Sequence, residues 1–463
     1  MHEVEPGVTY LFVGILVVMV LTLALEEKIH AKKSIITGTA AVVALFLGVA
    51  FHLLPLEKYV IDFGGGHVRH LPAYIPGVEW EVIAIILGCS LFVDVSSKSG
   101  MYSWVAIKLT RLSGGDPVKL LFFYGLMTVG FSALLNNVAA MLIVGSLTKV
   151  SLDRLGRQKL LLGFLITEGL LTNIGGLLTL ISSVPNIIVG KAADIAFGTF
   201  FVLAAPYVVV ATIITILMGA AIFKIKPLAN EEEKETAREL VSGFNAADTI
   251  TSRGFFFFSG AMFILFVLVL STTSLLPIVR ELGMGFVAMF FGLVLLLRFK
   301  NTADRKYAAL DWDLLGFFLT LFIVIDVMEH AGVLKLLGGG IADLIGVGEV
   351  SGAGLLLVAS AVTSSVTDNI PLAAVLANIL STLEIDKASN LWWCVIFGAN
   401  LGGNFTPIGS ASTVVAVTLM HKADLKVSFM GFVKAALPFA TVHVVLAVVY
   451  VLFVLPWLQG LMT

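Results

Sequence analysis

Asn173-Ile-Gly-Gly-Leu-Leu-Thr179-Leu-Ile-Ser-Ser183 recurs as Asn400-Leu-Gly-Gly-Asn-Phe-Thr406-Pro-Ile-Gly-Ser410, an offset of 227 residues. The correspondence extends outward from there. Ser132-Ala-Leu-Leu-Asn136-Asn137 recurs as Ser364-Ser-Val-Thr-Asp368-Asn369 at an offset of 232. The same 232 separates Glu79-Trp80-Glu81, Asp94-Val95 and Gly100 from Asp311-Trp312-Asp313, Asp326-Val327 and Gly332. Two matched halves of apolar chain, each broken by polar, glycine-containing segments, carry the signature of a secondary transporter built from internal repeats.

Composition sets the solvent. With 58% hydrophobic and only 13% charged residues over 463, and a mean hydropathy of +1.02, the chain cannot cover its apolar surface with a polar shell. It reads as an all-α polytopic membrane protein in contact with the lipid bilayer. A net charge of -2 leaves no electrostatic footprint for nucleic acid. Cys89 and Cys394 both lie in apolar runs, so no structural disulfide is expected. The first apolar run ends in Glu26-Glu27 without a small-residue cleavage site, and reads as a retained span. No nucleotide-binding loop, nucleophile elbow or HExxH motif is present, so an enzyme or primary pump has no support.

About ten spans are expected, near 8–25, 34–54, 80–97, 158–190, 197–222, 254–271, 283–299, 312–329, 390–420 and 431–457. Two of them, 158–190 and 390–420, are too long for one straight helix, and each contains Gly-Gly followed by Ser, Thr and Pro, so each unwinds midway. Two further apolar segments, 118–150 and 351–383, have polar centres and read as re-entrant hairpins. The halves are 1–223 and 254–463, joined by the charged stretch 224–253, read as a solvated cytoplasmic tether. Lys28, Lys32 and Lys33 put the first loop inside, and the later basic clusters then all fall inside if both hairpins are re-entrant. Both termini are then outside, the repeats are inverted, and the membrane is a bacterial or archaeal inner membrane.

Polar side chains and irregular backbone survive in hydrocarbon only where they line a cavity or bind something. Four segments qualify: the hairpin turns and the two breaks. Inversion brings each turn against the break of its own half. Ser132, Asn136, Asn137, Ser183 and Asn186, with Asn173, Thr179 and Ser182, are expected to form one polar site. Asp368, Asn369, Thr406, Ser410 and Thr413, with Ser364, Ser365, Thr367, Asn400 and Ser412, are expected to form the other. Neutral oxygens and freed carbonyls at this density suit a dehydrated sodium ion, whereas helix N-termini at the same breaks favour an anion. Small hydroxylated residues also serve as helix-packing glue, but packing does not require the duplicated spacing.

Asp94, Glu168, Asp326 and Asp368 are acids at membrane depth, where an ionised group costs at least about 2.5 kcal/mol. Asp368 stands where the other half has Asn136, so one half carries a titratable ligand and the other a neutral mimic. A carboxylate that takes either a proton or a sodium ion gives exchange by competition; the alternative for Asp368 is a helix cap. Glu168 is a second proton-coupling candidate or a bundle hydrogen-bonding group. The matched pair Asp94 and Asp326 suits an architectural role. The run Gly64-Gly-Gly-His67-Val-Arg-His70 reads as an exposed loop, and His443 as a packed or hydrogen-bonded histidine.

Thr172-Asn-Ile-Gly-Gly…Pro185-Asn186, Asp368-Asn-Ile-Pro371 and Gly402-Gly-Asn-Phe-Thr-Pro-Ile-Gly-Ser-Ala resemble the signature segments of the arsenite-permease and NhaD-type sodium-proton antiporter group of the ion transporter superfamily. The P-protein and the citrate and dicarboxylate permeases are relatives. The likeness implies a scaffold, a mobile domain made of the two hairpins and two broken spans, a homodimer and an elevator-type motion. It also implies sodium as coupling ion or substrate, with no other cofactor. In the dicarboxylate branch Ser-Asn-Thr motifs bind sodium and carboxylate; here that pattern is altered, and an acid at Asp368 repels a dianion unless a bound cation offsets it. The leading expectation is sodium/proton exchange. The alternatives are a cation-coupled permease for dicarboxylate, citrate or arsenite, and a membrane scaffold or receptor without flux.

Overall fold

Because the same apolar runs and the same breakers recur, the same succession of helices forms twice. The computed structural model describes residues 4–54, 60–62, 68–72, 74–135 and 137–462. Among them, nine helices are long and apolar enough to cross a membrane, or ten if the bent pair Trp312–His330 and Val333–Gly346 counts as one span. The pieces of the two long runs, Leu161–Gly175 with Val184–Ala192 and Asn390–Gly402 with Ala411–Lys422, are individually shorter than a bilayer crossing. Each pair is separated by eight non-helical residues, 176–183 and 403–410.

The first hairpin consists of Pro117–Leu134 and Asn137–Arg154, the second of Glu349–Val366 and Asn369–Thr382. Asp116 caps the first at its start by accepting from Val118 and Lys119 N–H, both at 3.0 Å. Gly100 and Gly332 occupy the left-handed region, at φ +82° and +75°, where a Cβ is strained. Each turns the chain from a spanning helix into a short helix, Met101–Ser113 or Val333–Gly346, and the second bend is 81°. These two short helices have amphipathic patterns of modest length and were absent from the sequence-based span count.

Packing is reciprocal between halves. Lys33–Ala50 lies along Trp312–His330, and Pro277–Leu296 lies along Trp80–Ser97, forming a four-helix frame. Ser34 Oγ donates to Asp313 Oδ1 at 2.6 Å, and Thr37 and Thr320 share a hydroxyl bond of 2.6 Å. Asp326, near the end of its helix, abuts Gly77 just before the matched helix begins, while Lys306, just before Trp312, reaches Asp94 near the other helix's end. The matched helices Trp80–Ser97 and Trp312–His330 therefore run in opposite directions, as inversion requires. The hairpins and breaks form a second unit. In it Pro117–Leu134 packs on Leu161–Gly175 and Glu349–Val366 on Asn390–Gly402, whereas the returning arms cross over: Asn137–Arg154 meets Ala411–Lys422 and Asn369–Thr382 meets Val184–Ala192. Phe197–Ile222 and Phe429–Val449 enclose this unit, each carrying an internal proline, Pro206 and Pro438, again 232 apart.

Two expectations need correction. The stretch 224–253 is not a solvated tether: it folds into Glu231–Ser242 and a 3-10 turn, Ala246–Thr249, and buries Leu228, Ala237, Val241 and Phe244. Asn230 caps its helix by accepting from Glu233 N–H at 2.8 Å, Asp116 Oδ2 accepts from Leu228 N–H at 3.0 Å, and Arg154 lies over the Phe244 ring at 4.9 Å. A helical moment with few apolar residues is easily mistaken for a polar tether, because five or six buried side chains suffice to dock it. Of the run Gly64 to His70, expected as an exposed loop, Val68–His70 pairs antiparallel with Val60–Asp62, and Gly64, Gly65, Gly66 and His67 lie outside the described residues.

The Gly-Gly pairs matter for close approach. A Cβ on Gly402 would lie 2.6 Å from Ser364 Cβ and nearer still to the Ala361 carbonyl oxygen, and one on Gly175 would lie 2.7 Å from the Val129 carbonyl oxygen. The first arm of each hairpin thus rests directly on the backbone of its own break. Gly402→Ala is expected to cost about 1–3 kcal/mol or more through forced backbone displacement. Gly130→Ala, where a methyl meets nothing within 4 Å, is expected to be neutral or slightly stabilising. Thermal unfolding of the two variants in detergent checks this, and equal melting temperatures would contradict the packing described.

Candidate functional site

A broken helix leaves carbonyl groups without partners, and here side chains from the same break supply them. Ser182 Oγ donates to the Gly176 carbonyl at 2.6 Å and the Thr179 carbonyl at 2.7 Å, and Asn186 Nδ2 donates to the same two at 2.6 and 2.9 Å. In the second break Ser410 and Thr413 form a reciprocal capping box at the start of Ala411–Lys422. The hairpin turns dock on the breaks of their own halves, as the sequence implied. Ser132 Oγ bonds the Thr172 carbonyl at 2.6 Å and Asn137 Oδ1 at 2.7 Å, and Ser364 Oγ bonds the Ala399 carbonyl at 2.6 Å. Thr179 Oγ1 donates to the Ala133 carbonyl, and Thr406 Oγ1 to the Ser365 carbonyl at 2.6 Å.

The two breaks then cross. Asn173 Nδ2 donates to Asn404 Oδ1 at 2.8 Å and Ser410 Oγ at 2.9 Å, while its Oδ1 accepts from Ser412 Oγ at 3.0 Å and from Asn137 Nδ2 at 3.4 Å. Asn400, its counterpart, donates to Asn186 Oδ1 at 2.8 Å and accepts from Ser183 Oγ at 2.6 Å. All of these side chains are buried except Asn137, which is partly exposed. The expected division into two sites, one per half, gives way to two clusters that each draw on both halves. Ser183 and Asn186 of the first half belong with Asn400, and Ser410 and Ser412 of the second with Asn173. Inversion about an axis between the breaks places each start-of-helix serine opposite the other half's asparagine. The Ser365 and Thr367 side chains turn back on their own helix instead, to the Val362 and Thr363 carbonyls, and bond no other side chain among the described residues. Asn369 opens the returning arm of its hairpin and is buried. Asn136 lies outside the described residues.

Two residues that sequence reading left aside complete the centre. Asn404 donates to the Leu170 carbonyl at 3.3 Å and contacts His443 Nδ1 at 3.3 Å; His443 Nε2 is 2.7 Å from Thr215 Oγ1, which in turn donates to the Ala211 carbonyl at 2.6 Å. Because Asn404 Oδ1 already accepts from Asn173, its amide nitrogen faces His443. The bonding pattern therefore assigns the Nε2–H tautomer, with Nδ1 accepting. The signal for Asn404 was its break of the repeat, since Leu177 stands at the matching place.

Asp368 is both a cap and an ion-pair partner. Its Oδ1 accepts from Ile370 N–H at 3.0 Å, and its Oδ2 accepts from the Lys33 ammonium, which also lies 3.5 Å from Glu26 Oε1. Lys33 begins the frame helix Lys33–Ala50, so this contact joins the frame to a hairpin tip. In the sequence it was counted only as a topology charge. Glu168 is fully buried; its Oε1 accepts from Thr148 Oγ1 at 2.6 Å, and Oε2 has no hydrogen-bond partner among the described residues. The matched acids diverge: Asp94 pairs with Lys306 at 3.0 Å, while Asp326 lies 3.8 Å from His330 Nδ1. No group of three or more His, Cys, Asp or Glu side chains suited to a metal occurs among the described residues, so a cation here would rely on carboxamide, hydroxyl and carbonyl oxygens and on Asp368.

Duplicated breaks facing hairpin turns inside a bundle of apolar spans define a membrane transporter. The chain belongs to the citrate transporter family (CitMHS), whose model matches residues 23–395. That places it in the ion transporter superfamily, as the motif resemblance implied. An uncharacterized transporter of Mycobacterium tuberculosis, Rv2685, is 29% identical over 81% of this chain and 86% of its own length. The human P protein is 25% identical over 82% of this chain and 54% of that protein. The crystal structure of the Alcanivorax borkumensis YdaH transporter, titled as revealing an unusual topology, aligns with a TM-score of 0.60 at 13% identity, covering 93% of this chain and 99% of that one. It shares the fold.

Asn404→Leu, which installs the residue the first half carries, leaves Asn173 and His443 each short of a partner. It is expected to destabilise by about 1–3 kcal/mol per orphaned group. The double variant Asn404→Leu/His443→Ala is expected to be less destabilised than the sum of the two single changes. Strict additivity in thermal or denaturant unfolding would show that the two side chains are not coupled.

Proposed function

We propose that this chain is a secondary active transporter that exchanges sodium for protons, with Asp368 as the group whose occupant changes. The observation that carries this is the Lys33–Asp368 pair. Asp368 is the one carboxylate in the four polar segments, and it already holds a cation, the Lys33 ammonium. Sodium at the Asp368 carboxylate displaces that ammonium, and the exchange balances when the displaced Lys33 releases its extra proton to water as sodium binds and takes one back as sodium leaves. Competition of this kind makes occupancy by sodium and by the protonated amine mutually exclusive, which is the elementary requirement for exchange. Glu168, buried with one oxygen unpartnered, is a second place for a proton. As part of the same reading, the hairpin and break unit slides against the frame in an elevator-type motion, the chain works as a homodimer, and the N- and C-termini face outside a bacterial or archaeal inner membrane.

A second reading is favoured by the same ion pair and by the family's description. Lys33 offsets the charge of Asp368, which removes the repulsion that an unpaired carboxylate would exert on a dianion. The buried carboxamides and the helix starts at Ser183 and Ser410 then suit a carboxylate substrate such as citrate.

The purified protein in liposomes with an internal pH dye separates the two. Sodium alone is expected to move protons in the wild type. Asp368→Asn is expected to lower that flux more than about tenfold with folding retained, since an asparagine still caps the helix. Lys33→Gln is expected to keep sodium binding but uncouple it from proton movement. Silence with sodium and a response to citrate would discard the exchange reading in favour of the permease. A cysteine at Glu232 is expected to be labelled only from the cytoplasmic side, and labelling from outside would reverse the orientation.

A further inference from the structure

We infer that the cavity between Lys98, Arg298, Arg305 and Lys306 binds the phosphate headgroup of an anionic membrane lipid. The cavity, about 560 Å³, opens where the frame meets the docked linker, with Thr251, Ser252 and Thr302 on its wall and Phe299 across it. Four cationic side chains face one carboxylate, Asp94, which leaves three net positive charges (4 − 1 = 3). Lys306 is largely buried, pairs with Asp94 at 3.0 Å and lies 4.9 Å over the Phe299 ring, so its position is fixed. Lys98, Arg298 and Arg305 are exposed and form no carboxylate pair among the described residues. Arginine forks of this kind match phosphate oxygens geometrically.

The surroundings select a lipid over a soluble phosphate. The cavity lies at the start of the spanning helix Arg253–Ser271 and just past the end of Pro277–Leu296. Both helix ends turn large apolar side chains outward at that level: Phe257 is 70% exposed and Leu297, just past the second helix, 69%, with Phe258 and Leu293 also exposed. An acyl chain can therefore run down the flank of the same two helices whose ends hold the headgroup. Basic pockets between spanning helices on the positively charged face are the usual place for such contacts. The linker closes one wall, since Thr251 Oγ1 donates to the Lys98 carbonyl at 3.1 Å. Lipid occupancy would accordingly brace the join between the two halves. The site is separate from the polar centre, and the inference does not depend on which substrate is transported.

The test uses the full chain in nanodiscs containing equal phosphatidylglycerol and phosphatidylcholine, with retained lipid counted by native mass spectrometry. The wild type is expected to retain phosphatidylglycerol selectively. Arg298→Ala/Arg305→Ala is expected to lose about fivefold in retention for each arginine removed, with circular dichroism and the melting transition preserved. Should that variant fail to fold, Lys98→Gln alone is read instead and is expected to weaken retention in the same direction. Equal retention of the two lipids by the wild type, or unchanged selectivity in the folded variants, would overturn the assignment. Displacement of phosphatidylglycerol by inorganic phosphate alone would reassign the cavity to a soluble phosphate and equally overturn the lipid.

Discussion

Backbone polar groups inside hydrocarbon must find partners within the protein, and the two helix breaks satisfy that demand by crossing. Asn173 bridges to Asn404, Ser410 and Ser412, and Asn400 bridges to Ser183 and Asn186. Without the opposite break each asparagine would keep only the partner from its own half, Asn137 for Asn173 and the Ile396 carbonyl for Asn400. The reciprocal packing of the returning hairpin arms on the opposite half's second helix follows from the same crossing. The consequence is a hydrogen-bonded polar layer between the two halves, with the hairpin tips beside it.

The unit built on that layer touches the frame through charges at opposite ends. At one end Lys33 of the frame holds Asp368 of the second hairpin tip. At the other, Lys191 at the end of Val184–Ala192 meets Glu79 at 2.5 Å, just before the frame helix Trp80–Ser97, and Glu81 at 3.6 Å in its first turn. Elsewhere the interface is largely apolar and hydroxylated. Both contacts tie a frame residue to the hairpin-and-break unit through a lysine side chain. The Lys33–Asp368 pair is the more shielded of the two, at 23% and 14% side-chain exposure against 36% and 51% for Lys191 and Glu79, so losing one partner there leaves the other charge in a poorer solvent.

Much of this was legible in the sequence because duplication acts as an internal comparison. The offset of 232 located two of the frame helices and the hairpin turns, the offset of 227 located the breaks, and glycines repeated at matched positions marked left-handed turns and close approaches. Which half's serine meets which asparagine was not legible, since spacing along a chain does not fix partners across a pseudo-symmetry axis. Lys33 carried two messages, a loop charge and an ion-pair partner 335 residues away, and only the first has a local pattern. The linker helix was missed because docking needs a few buried side chains, while composition weighs all of them equally.

Departures from the repeat are as informative as the repeat itself. At the place of Leu177 the second half has Asn404, and at the place of Ala211, by the offset that also relates Pro206 to Pro438, it has His443. These two polar residues bond to each other. A lone polar side chain in an apolar bundle is penalised by its unmet hydrogen bonds, whereas a pair that satisfies each other is tolerated. The asymmetry is therefore a unit: Asn404 gives Asn173 a partner, and His443 orients Asn404 so that its oxygen faces inward. Asp368 in place of Asn136 is a second asymmetry of the same kind, and it too comes with its partner, Lys33. Both fall in the second half, which makes the two ends of the polar layer chemically unequal although the backbone that carries them is duplicated.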